Sequence, residues 1–196
     1  MENEVKEPAP KFNYITPEEY LEMEANSTEK HEYHRGEIFT MSGASIEHNI
    51  IAVNINGLAV NPLRKKGCML FGSDYRVHIP LEQLFTYPDF SIVCGPVQES
   101  KYADNLINPS VIIEILSPST KKYDRSGKFA LYRSIRTLKE YLLIDSTSPW
   151  IELHTKQEDG RWILEEFRYS QERIHLSTVG ITMCLKDIYQ DISFAE

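Results

Sequence analysis

The chain has 196 residues, of which 41% are hydrophobic and 26% charged, and a formal net charge of −8. At this length about 70% of the surface of an unfolded chain can be buried, so a core forms without staples. The composition excludes a disordered or collagenous chain, no apolar run reaches a membrane span, and the acidic balance, taken whole, repels membranes and nucleic acid.

The opening MENEVKEPAPKF is acidic, contains proline and lacks the apolar stretch of a signal peptide. Residues 1–14 read as a loose leader and 15–196 as a single domain. Thr16-Pro17-Glu18-Glu19 predicts a helix start: a cap, proline at the first position, then acids in the first turn. That helix runs to Asn26. HEYHRGEIFTM, residues 31–41, predicts a hairpin turned at Arg35-Gly36. Ala44 to Lys65 reads as the longest helix, with an apolar stripe of Ile46, Ile50, Val53, Ile55 and Leu58, ended by Pro62 and Gly67. Strands are predicted at 74–79, 90–94, 111–116, 140–145, 150–155 and 162–169, with Asp159-Gly160 turning the last two. A second helix spans Arg125 to Ile135. Strands dominate and helices interrupt them, so the class is α/β or α+β. Cys68, Cys94 and Cys184 are odd in number and lack CxxC spacing. They indicate neither a zinc site nor a disulfide framework, and point to a reducing, cytoplasmic setting.

Charge is unevenly spread. Between Ser117 and Lys139, seven cations (Lys121, Lys122, Arg125, Lys128, Arg133, Arg136 and Lys139) face Asp124 alone, a local net of +6. This is either a solvated helix surface or the footprint of an anionic ligand.

VIIEIL, residues 111–116, sets the central question. Alternation puts Val111, Ile113 and Ile115 on one face and Ile112, Glu114 and Leu116 on the other. Both faces are apolar, as in a central strand covered on each side. Glu114 therefore lies in or at the rim of the core, where an ionised carboxylate must be protonated, paired or metal-bound. A pairing with Lys or Arg at the strand's end is the plain alternative. Asp89 follows Pro88 at the start of a second short apolar run. Two adjacent strands can set Asp89 and Glu114 side by side, and two hard oxygen ligands suit Mg²⁺. Lys128, Leu131, Tyr132 and Ile135 fall at i, i+3, i+4 and i+7, the inward stripe of the second helix. The lysine there either snorkels, pairs with Asp124, or is delivered to the two acids.

TYPDFSIVC, VIIEILSPST, YDRSGKFALYR and LKEYLLID, in that order, resemble the Uma family of bacterial restriction-endonuclease-like proteins. The resemblance extends upstream through HEYHRGEIFTMSGASIEHN and GSDYRV, and downstream through GRWILEEF and LKDIY. It implies a PD-(D/E)xK nuclease core, a central mixed sheet flanked by helices with metal-binding carboxylates on adjacent strands. On that resemblance Asp89 is the first acid and Glu114 the second. The usual lysine two residues after the second acid is Leu116 here, so its role moves to Lys128. An upstream carboxylate falls on Glu32, with Glu37 the alternative. His48 and Asp74 are candidates to line the same site, although Asp74 is better read as opening a strand.

The implied activity is Mg²⁺- or Mn²⁺-dependent hydrolysis of nucleic acid, DNA foremost, with Lys121, Lys122 and Arg125 on flanking phosphates. The rival is a catalytically degenerate subunit, binding nucleic acid or protein, in which Glu114 is merely paired to Lys128. A homodimer is expected by analogy with nucleases that cut two strands.

Overall fold

The computed structural model describes residues 14–41 and 43–194. The leader expected at 1–14 lies outside them except for Tyr14. The hydroxyl of Tyr14 donates to Gln83 Oε1 (3.1 Å).

α1 (Pro17–Ala25) begins as the sequence predicts. Thr16 accepts from the Glu19 N–H (3.2 Å) and the Glu19 carboxylate accepts from the Thr16 N–H (2.7 Å), a reciprocal capping box. The hairpin follows as β1 (His31–His34) and β2 (Glu37–Thr40). Arg35 and Gly36 both take positive φ, as a tight two-residue turn requires. α2 (Ile46–Arg64) is the longest helix, and Pro62 sits inside its last turn rather than ending it. β3 (Cys68–Gly72), β4 (Arg76–Ile79), β5 (Leu84–Thr86), β6 (Phe90–Cys94) and β7 (Asn105–Leu106) come next. β8 (Val111–Leu116) leads into a helical segment made of α3 (Lys121–Tyr123), a π-helical turn (Asp124–Lys128) and α4 (Phe129–Tyr132). β9 (Glu140–Asp145), β10 (Ile151–Lys156), β11 (Trp162–Phe167), β12 (Arg173–Leu176), β13 (Ile181–Cys184) and α5 (Leu185–Ile188) complete the chain.

The main sheet has the order β11-β10-β9-β8-β6-β3, and a second has the order β2-β1-β5-β4-β7. β8 and β9 run parallel, joined by the helical segment, while β6 pairs antiparallel with β8. The sheet is therefore mixed. β8 is covered on both faces, as its pattern predicts. Val111, Ile113 and Ile115 pack with Ile51, Ile55 and Ala59 of α2. Ile112 and Leu116 pack with Phe129, Tyr132 and Tyr141 on the other side. Each fully buried Ile or Leu contributes about 1.5–3 kcal/mol. The five apolar residues of β8 thus hold a strand in the interior despite its carboxylate.

The cysteine expectation is corrected. Cys68 and Cys94 face each other in the β3–β6 register and their sulfurs are bonded, leaving Cys184 free. The residues are far apart in sequence, and only strand register brings them together. The inference from cysteine count to a reducing compartment fails with this pair. Among the described residues no helix is long and apolar enough to cross a membrane.

Candidate active site

The site forms where the β6–β8 ladder ends. Asp89 precedes β6, one residue beyond the Phe90–Ile113 pair. Its Oδ2 accepts from the Ile115 N–H (2.6 Å), so the side chain continues the ladder. Its own N–H points at Glu114 Oε2 (3.4 Å), which sets the two acids side by side. Oδ1 lies 2.9 Å from His48 Nε2 in the first turn of α2. Burial works against a charged imidazole, but the hydrogen bond and charge of Asp89 outweigh it and raise the His48 pKa.

Lys128 enters from the opposite side. Its Nζ lies 3.0 Å from Glu114 Oε1, 3.0 Å from Glu32 Oε1 and 3.9 Å from Asp124 Oδ1. The ammonium is buried, so it does not snorkel. The π turn is the local cause: its wider loop of backbone holds both Asp124 and Lys128 inward. Tyr132, one turn further on, donates to Glu114 Oε1 (2.7 Å). Glu32 stands on β1 beside the end of β5. It accepts from the Thr86 hydroxyl and from the Tyr87 N–H (3.4 Å).

The titrations follow from these contacts. Burial pushes Glu114 up to about 8, against the pull of Lys128, and the charges of Asp89 and Asp124 add to the rise. Burial likewise outweighs Lys128 at Asp124 and raises it. At Glu32 burial is overcome by Lys128 and Thr86, and the pKa falls. Lys128 is raised, because Glu114, Glu32 and Asp124 more than offset burial. The result is an acid-rich buried cluster around one fixed ammonium.

Asp89, Glu114, Lys128, Glu32 and His48 thus meet in one place. Three other expectations are corrected. Glu37 is exposed at the start of β2, on the turn side of the hairpin, so Glu32 is the inward acid. Asp74 is a surface residue paired with Lys30 (2.5 Å), and its side chain is 95% exposed. Arg125 is engaged elsewhere: its Nε lies 2.8 Å from Glu152, its NH2 3.7 Å from Asp145, and its guanidinium stacks on Trp150. It is not free to hold a phosphate. Lys121 is half-buried and Lys122 exposed. Asp124 and Tyr132 are site residues that sequence reasoning did not assign. Both lie four residues from Lys128, Asp124 before it and Tyr132 after it; Tyr132 stands on the predicted inward stripe, while the inward turn of Asp124 depends on the π segment.

Two carboxylates fit a Mg²⁺ ion, which keeps several waters and takes one or two protein carboxylates. Glu114 Oε2, with only a long contact to the Asp89 N–H, is the oxygen best placed to accept it. A full protein cage is absent: among the described residues no group of three or more His, Cys, Asp or Glu is disposed to hold a metal.

The fold matches a solved structure, and the sequence matches known proteins. The crystal structure of "a putative nuclease belonging to DUF820" from Anabaena variabilis aligns with a TM-score of 0.71 at 20% identity, covering 89% of this chain and 97% of that one. The fold is therefore restriction-endonuclease-like. Two proteins of Synechocystis sp. are similar over most of their length. "Uncharacterized protein slr1290" is 38% identical over 95% of this chain and 97% of its own. "Uncharacterized protein sll1609" is 36% identical over 85% of this chain and 95% of its own. The family model Uma2, described as "Putative restriction endonuclease", matches residues 17–185, and the chain belongs to that family.

Proposed function

We propose that the protein is a metal-dependent nuclease that hydrolyses phosphodiester bonds of DNA. The observation that carries this reading is the Lys128 ammonium at 3.0 Å from both Glu114 and Glu32, with Asp89 against Glu114 on the neighbouring strand. Asp89 and Glu114 would hold the divalent cation, Mg²⁺ or Mn²⁺. Such an ion supplies charge for the scissile phosphate and acidifies the attacking water. In the reaction a water oxygen would add to phosphorus and shed its proton to solvent, the P–O bond to the leaving sugar would break, and that oxygen would take a proton from solvent. Lys128 offsets the charge that grows on the phosphoryl oxygens, as a preorganised cation in a dry site does. Glu32 and Asp124 hold the ammonium in place. His48 fixes the Asp89 carboxylate. Lys121 and Lys122 contact flanking phosphates, which positions the strand without reading its sequence. Action on DNA is consistent with a cytoplasmic enzyme. Ile46 and Val53, exposed on α2, offer apolar surface for a homodimer.

One observation favours the degenerate alternative. Glu114 Oε1 already carries Lys128 and Tyr132, a closed pairing that needs no metal. Calorimetric titration with Mn²⁺ separates the two. The nuclease reading expects binding that Asp89→Ala abolishes and that tightens as pH rises toward 8, where Glu114 loses its proton to solvent and leaves a carboxylate for the ion. It also expects nicks in branched, single-stranded or duplex DNA that disappear in Glu114→Gln. A wild-type chain that binds no metal and cuts none of these belongs to the alternative.

A further inference from the structure

Tyr123 is the last residue of α3 and stands directly before the π turn. Its ring lies against Gly127: a Cβ built there would meet Cε2 at 2.8 Å and Cδ2 at 2.9 Å. The ring occupies that place because residue 127 has no side chain. The residue after this glycine is Lys128, so the ring lies over the backbone that delivers the ammonium. Burial first, then the Glu32 carboxylate, push the phenol up, with Lys128 opposing and Asp124 and Glu114 adding to the rise. Tyr20, Tyr33, Tyr132 and Tyr141 are fully buried, yet Tyr123 keeps 44% of its surface in solvent. Two lysines precede it in the chain, and neither forms an ion pair among the described residues.

An open aromatic face beside a phosphate-directed cation has a specific use. Every nucleobase presents a π face, and stacking on an aromatic side chain holds a base without reading its identity. Bases inside a duplex are already stacked on each other and present only their edges to a side chain in a groove. We propose that the Tyr123 ring is a stacking subsite for a nucleobase next to the scissile phosphate, and that the strand entering this site is single-stranded or locally unpaired. The proposal rests on the nuclease reading and narrows its substrate. It gives the neighbouring lysines a matching task, since stacking and backbone charge together are how single strands are held.

The test compares two labelled probes of equal length, oligothymidylate and its fully abasic counterpart. Binding is measured by fluorescence anisotropy in Ca²⁺, so that strands stay uncut, with wild type, Tyr123→Ala, Tyr123→Leu and Tyr123→Phe. Wild type is expected to bind the thymidylate strand roughly tenfold tighter than the abasic one. Tyr123→Ala and Tyr123→Leu should lose that preference while their affinity for the abasic strand stays near wild type. Tyr123→Phe should keep the preference. The leucine variant retains apolar bulk over Gly127, so a loss seen in both variants is not a folding defect. A preference that survives in the alanine variant overturns the stacking subsite, as does a wild type that binds both probes equally well. Wild type that binds neither probe, and cuts nothing in Mn²⁺, overturns the nuclease reading itself and the subsite with it.

Discussion

Two ionic clusters flank the same helical turn, and they are built to opposite plans. On one side Arg125 meets Glu152 and Asp145, with Trp150 lying between the guanidiniums of Arg125 and Arg168. Cations and acids are nearly matched there, and the aromatic ring closes the group. On the other side Lys128 faces Glu114, Glu32 and Asp124, with Asp89 behind them. Acids outnumber the cation, and the deficit is met by a raised Glu114 pKa rather than by a second base. Compensated charge at Arg125 ties β10 to the helical segment and asks for nothing more. Uncompensated charge at Lys128 is costly in a buried place. That excess of acid is what separates the two clusters, and on the proposed reading it is what an added cation would balance.

The largest effect that bears on this contrast is expected from Lys128→Ala. It strands the buried Glu114 and Asp124 and the partly buried Glu32 without their cation and should cost about 3–5 kcal/mol in urea denaturation. A cost as small as that of a surface pair would erase the distinction. Next comes pH. Glu114 holds its proton more tightly in the folded than in the unfolded chain, so it favours folding fully below its ordinary value of 4.5 and that contribution is lost as pH rises toward about 8. Glu152 has the opposite sign: its lowered pKa gives stability present above 4.5 and lost as pH falls through the folded value. Stability curves of Glu114→Gln should lose the decline between pH 4.5 and 8 and keep the acid limb. Arg125→Met should cost about 2 kcal/mol, the worth of a hydrogen bond to a charged group, and leave Mn²⁺ affinity unchanged by calorimetry. A fall in metal affinity would tie the two clusters together. The smallest effect belongs to Asp74→Ala, whose exposed pair with Lys30 should give no measurable change in melting or in nicking.

Much of this architecture was legible because it follows short-range periodicity. The two faces of VIIEIL follow from alternation alone, and both of the predicted coverings are present. The capping box at Thr16 and the turn at Arg35-Gly36 are local chemistry and were read locally. The inward stripe carried Lys128 to the acids even though its helix was placed a few residues late. What escaped depends on register or on irregular backbone. β3 and β5 have weak patterns of their own, and the Cys68–Cys94 pairing exists only through β3–β6 alignment. Asp124 was read as a partner of Lys128 and not as part of the site, because nothing in DRSGK announces a π turn. Arg125 looked available because its partners Asp145 and Glu152 lie on strands far along the chain. The run of positive charge therefore overstated the surface open to phosphate.

The π turn has a consequence for how this protein tolerates change. A π turn amounts to one residue more than an α-helix would use, so the heading of the ammonium is fixed by how many residues precede it, not only by which ones. Were ordinary helix to run through this segment with all five residues kept, the residues that follow would turn by about 100° around the axis, one residue's worth of rotation. A substitution that forces ordinary helix through DRSGK without shortening it should therefore carry the ammonium away from the acids, with the sheet beneath left in place.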